Sequence, residues 1–103
     1  MRKNYGSGLK WDTLNPVRSV DRAKSYYNKA EYMTDTETGD IVLYSYGTPV
    51  CRWNPVTRVF TQLWGGYSAT TMRHINSFMA LNGLPFGGKA WWDALPIDKP
   101  VKL

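Results

Sequence analysis

The sequence predicts an α+β fold: an antiparallel β-meander of three or four strands, with an N-terminal helix and a further helix packed on the sheet. Three observations carry that prediction. Apolar residues recur at helical spacing from Asn15 to Asn28 and again from Ser68 to Gly83. Between Glu31 and Trp64 the period changes to two. Clusters rich in Gly, Pro, Asn and Asp separate these segments.

Met1 to Thr13 is rich in Gly and Lys, with only Tyr5, Leu9 and Trp11 to bury, and reads as a mobile or docking arm. Asn15-Pro16 opens the first helix, because Asn is a favoured N-cap and Pro suits the first helical position. Val17, Val20, Ala23 and Tyr27 supply its apolar face. Strands are predicted at Glu31–Thr34, Ile41–Tyr46, Pro49–Trp53 and Arg58–Trp64. With Gly47-Thr48 as a two-residue turn, Val42, Tyr44, Cys51, Trp53 and Phe60 share one face, and Ile41, Leu43, Val50, Val59 and Leu63 share the other.

Gly65-Gly66 ends the sheet, and Ser68 caps a helix whose stripe is Met72, Ile75, Phe78 and Met79. Gly83 and Pro85 stop it. KAWWDAL supplies one or two further helical turns. The organisation is thus an arm at 1–13, one domain at 14–96 and a frayed tail at 97–103. At 103 residues and 15% aromatic content, one compact domain accounts for the whole chain.

Thirteen Lys and Arg against eight Asp and Glu give a net charge of +5, which favours anionic partners. Cys51 and His74 are the only Cys and His, too few for a disulfide framework or a structural zinc site, and the lone thiol suits a reducing cytoplasm. The N-terminus lacks an apolar secretion core, and no apolar run reaches the ~20 residues of a membrane span.

Catalysis finds little support. The one nucleophile and base pair the sequence offers is Cys51 with His74, but a mid-strand Cys is ordinarily a small core residue. His74, at the border of its helix's stripe, reads as a half-exposed hydrogen-bonding residue. The acidic loop Asp35, Glu37, Asp40 departs from a calcium loop, with Gly39 fifth and Tyr46 twelfth where Gly and Glu belong at the sixth and twelfth positions. No phosphate loop or dinucleotide fingerprint is present, so the expectation is a protein that is not an enzyme, has no cofactor and binds no metal.

Three groups of residues are candidates for binding. Ser68, Thr70, Thr71, Arg73 and His74 surround a helix start, whose free N–H groups favour an anion or an acidic partner side chain; an ordinary helix cap competes with that reading. Arg18, Arg22 and Lys29 form a basic stripe on the first helix suited to phosphates, against which stands the solvated back of an amphipathic helix. Tyr44, Trp53 and Phe60 form an aromatic face that stacks bases if open and builds a core if covered.

The run SYGTPVCRWNPVTRVFTQLWGGYSATTMRHINSFMALNGLP, Ser45 to Pro85, resembles a small domain found in open reading frames of bacteriophages and prophages. The likeness rests on its S-Y-x-T-x-V strand, its W-x-G-Y-S-x-T-T turn and its R-H-I-N helix. It covers about two-fifths of the chain and implies a phage setting without a mechanism. The resulting expectation is a stoichiometric inhibitor of a host defence nuclease, of the anti-CRISPR type, in the cytoplasm of the infected bacterium. Its partner would be a host protein or ribonucleoprotein. The alternative is a phage nucleic-acid-binding protein using the basic helix face and the aromatic sheet.

Overall fold

The computed structural model describes residues 9–13, as backbone, and residues 29–103. Its elements in chain order are β1 (Leu9–Thr13), β2 (Ala30–Asp35), β3 (Ile41–Ser45), β4 (Thr48–Asn54), β5 (Val59–Gln62), α1 (Ala69–Leu81), α2 (Lys89–Ala94) and β6 (Val101–Lys102). The strands form one sheet in that same order, each antiparallel to its neighbours. The fold is α+β, and its four middle strands lie where the period of two places them.

The sheet is wider than the predicted three or four strands because both flanking segments join it. Leu9–Thr13, assigned to the arm, pair with β2 from Leu9↔Asp35 to Thr13↔Glu31. Val101 and Lys102, assigned to the frayed tail, pair with Phe60 and Val59. The predicted helix from Asn15 to Asn28 lies outside the described residues.

The β3–β4 hairpin corrects the predicted faces. Its turn is Tyr46-Gly47, closed by the pair Ser45↔Thr48, with φ of 52° and 80° at the two turn residues. Positive φ at both positions is the turn geometry that continues the strand twist; Gly47 adopts it freely, and Tyr46 does so against the preference of its side chain. Starting the turn one residue early moves each pairing by two positions, which preserves the faces. An irregularity between Leu43 and Tyr44 then moves the register back by one, so that Leu43 opposes Cys51 and Ile41 opposes Trp53. That odd step exchanges the faces.

The core forms on the face carrying Ala30, Leu43, Cys51, Trp53 and Phe60. Helix α1 covers it with Met72, Ile75, Phe78 and Met79, whose spacing keeps them on one side of the helix, and α2 adds Trp92. Trp92 and Trp91 lie 6.4 and 5.3 Å from the Phe60 ring, centroid to centroid. Ser68 caps α1 in extended backbone, and its Oγ accepts from the Thr71 N–H at 3.0 Å. At the end of β4, Asn54 ties two loops together. Its Nδ2 donates to Thr38 O and Asp40 Oδ1, and its Oδ1 accepts from the N–H groups of Val56 and Thr57.

Candidate binding surface

Beneath the start of α1 lies a cluster of polar side chains. Ser45 ends β3 on the covered face, and Thr71 and His74, one turn apart on α1, descend onto it. Ser45 Oγ lies 2.8 Å from His74 Nδ1 and 3.0 Å from Thr71 Oγ1, so one hydroxyl can donate to one neighbour while accepting from the other. His74 is 0% exposed, and the Tyr46 ring lies 5.7 Å from it, centroid to centroid. This corrects the half-exposed histidine expected from sequence. A Ser–His pair sealed in this way has no access for a substrate, and its hydrogen bonds join sheet to helix.

The predicted anion site is therefore divided. Thr71 and His74 are buried within the fold, whereas Ser68 is exposed and Thr70 and Arg73 are half-buried. Ser68 already caps the helix through its hydroxyl. The turn before it is tight for a steric reason: a Cβ at Gly66 would stand 2.6 Å from Trp64 Cζ2, and one at Gly65 would stand 2.6 Å from Ile97 Cδ1.

Cys51 is fully buried, and burial pushes its thiol far above the ordinary range, so the nucleophilic thiolate is suppressed. The aromatic platform does not assemble. Trp53 and Phe60 are enclosed in the core, while Tyr44, on the opposite face, is half-buried. Of the basic stripe, Lys29 is exposed with Nζ 5.8 Å from the Tyr46 ring centroid. Arg18 and Arg22 lie outside the described residues. In the acidic loop, Asp35 Oδ1 accepts from the N–H groups of Glu37 and Thr38, which fixes the turn internally. Among the described residues no three His, Cys, Asp or Glu side chains gather as metal ligands, and no helix is long and apolar enough to cross a membrane.

The residues that sequence reasoning missed are at the surface beside α2. Phe86 stacks on Trp91 at 5.9 Å with an interplanar angle of 21°, and Lys89 Nζ lies 5.2 Å from the ring centroid of Tyr67. Lys89 also pairs with Asp93 at 2.6 Å. Tyr67 and Phe86 are 47% and 38% exposed. A hydrogen bond from Trp92 Nε1 to Gly66 O at 3.3 Å joins α2 to the glycine turn and so brings the two aromatic pairs to the same end of the molecule. The signal was present in Trp91-Trp92. Adjacent helical residues point about 100° apart, so the Trp92 indole enters the core while Trp91 lies half-buried at its margin.

The family comparison matches residues 14–94, from before β2 to the end of α2. The chain belongs to DUF8033, a family of unknown function. The DUF8033 region contains the Ser45–Thr71–His74 cluster and the Tyr67, Phe86, Lys89 and Trp91 surface, while β1 and β6 flank it. No curated protein and no solved structure matches the chain.

Proposed function

We propose that this DUF8033 protein acts by non-covalent binding, as a stoichiometric inhibitor of a host defence nuclease during phage infection. The observation that carries the reading is a division between inside and outside. The single cysteine and single histidine are buried in the fold, and large aromatic side chains, Tyr67 and Phe86, remain at the surface. Binding energy at protein interfaces concentrates on anchors of this type, Tyr and Trp above all. The phage setting rests on the resemblance of Ser45–Pro85 to phage and prophage domains, and the nuclease target rests on analogy with other small phage proteins. Its site of action is the cytoplasm of the infected bacterium.

The net charge of +5 makes imitation of DNA an unsuitable route to inhibition, because a mimic of nucleic acid must be acidic. The charge favours an acidic protein face or the nucleic-acid component of a ribonucleoprotein. Direct nucleic-acid binding is the second reading, supported by that charge and weakened by the burial of Trp53 and Phe60. Affinity capture from host lysate, with and without nuclease treatment, separates the two. Retention of one protein partner at equimolar ratio after treatment supports the inhibitor; loss of all partners on treatment supports the alternative.

A further inference from the structure

The sheet has a second face, opposite the core. On the side away from α1 and α2, Arg52 and Thr61 oppose each other across β4 and β5, and they line a groove of about 320 Å³. Asp40 and Asp98 also line it. That volume is at the lower end of small-ligand sites. Two features distinguish the groove from ordinary charged surface. Among the described residues, neither carboxylate is within ion-pair distance of the exposed Arg52 guanidinium, which leaves its fork of donors available. Thr61, a polar residue lining it, is only 4% exposed. Asp98 holds a φ of 59°, a left-handed conformation that Asp and Asn adopt more readily than other non-glycine residues. The Asp98 backbone N–H donates to Gln62 O at 2.8 Å, and the Asp40 carboxylate accepts from Asn54 Nδ2 at 2.9 Å, so the Asp98 backbone and the Asp40 side chain are held in place.

We infer that this groove binds a small zwitterion of net positive charge, the chemistry of a free basic α-amino acid. One free guanidinium and two carboxylates lining a single groove call for the reverse pattern: a carboxylate held by Arg52, with cationic groups directed to Asp40 and Asp98. A plain anion meets two repelling carboxylates, and a plain diamine meets the Arg52 charge. The inference is independent of the proposed inhibition, since the groove is on the other face of the sheet from α2.

The test uses the full chain in amide-resolved NMR titrations with L-arginine and L-lysine. Acetate, 1,5-diaminopentane and N-acetyl-lysine amide are the controls. Saturable shifts are expected at Asp40, Arg52, Thr61 and Asp98 with the free amino acids, at least tenfold weaker binding by the diamine and by the capped lysine, and none by acetate. Arg52→Gln should weaken amino-acid binding at least tenfold. Asp98→Asn, which tolerates the left-handed backbone, should weaken it severalfold. Equal binding by the capped lysine would transfer the site to lysine side chains of a polypeptide and overturn the free amino acid as ligand. No saturable shift, or full affinity in a folded Arg52→Gln variant, would overturn the site itself.

Discussion

Ser45 Oγ and His74 Nδ1, separated by 29 residues in sequence, meet at 2.8 Å in the interior. The contact connects the end of β3 to the second turn of α1, and it takes the one imidazole of the chain out of reach of substrates. A group that could have been read as a general base thereby serves to position the helix.

Removing the Ser45 hydroxyl deletes its buried hydrogen bonds to His74 Nδ1 and Thr71 Oγ1. Ser45→Ala should therefore destabilise the fold by about 1–3 kcal/mol in urea unfolding, with partner affinity unchanged in the folded fraction. A stability change below ~0.5 kcal/mol would remove the cluster from the account of the fold.

The fold was legible where a residue type has one strong local meaning. Ser68 begins α1 as its hydroxyl predicts, and the apolar spacing from Met72 to Met79 chose the buried side of that helix correctly. The hairpin was not legible. Tyr46 occupies a left-handed turn position that Asn or Gly normally fills, and no pattern in the chain announces the irregularity beside Leu43. Together they placed Tyr44 on the wrong face and left Ser45 unremarked. β1 and β6 escaped because short edge strands draw their stability from pairing, which is a property of the partner strand.

Cys51 makes stability depend on alkaline pH. Burial raises the folded-state value above the 9.0 of a free thiol, so folding favours the protonated form. Its contribution is complete below pH 9 and declines as pH rises above 9, where the unfolded chain ionises and the folded one does not. The slope should approach 1.4 kcal/mol per pH unit once the unfolded thiol is fully ionised. Comparing wild type with Cys51→Ala from pH 8 to 10.5 isolates this dependence; parallel curves would contradict it. Thiol reagents at pH 8 should label Cys51 only upon unfolding.

The two turn glycines should differ in tolerance. An added methyl at Gly65 meets the outer end of the Ile97 side chain, which is 44% exposed and can rotate away. At Gly66 it meets the rigid Trp64 ring. Gly66→Ala should cost about 1–3 kcal/mol and Gly65→Ala less than ~1 kcal/mol, measured by thermal unfolding. Equal costs would mean that the loop, rather than the indole, absorbs the strain.

Tyr67→Ala should weaken partner binding by roughly 1–3 kcal/mol, with a stability change of no more than ~0.5 kcal/mol, because the ring is half in solvent. Ser68→Ala supplies the contrasting case: about 1 kcal/mol of stability lost with the cap, and affinity retained. Calorimetric titration against the captured partner, alongside unfolding curves, distinguishes the two residues. Full affinity in Tyr67→Ala would move the interface elsewhere.

The proposed inhibition requires that the protein occupy its target without turning over. The direct measurement is a titration of the captured host nuclease, at concentrations well above the dissociation constant, with residual activity followed against the molar ratio. A linear fall to a break at one protein per target, reversed when the complex is dissociated, is the predicted result. Inactivation at ratios far below one, or a loss of activity that persists after the protein is removed, would contradict it.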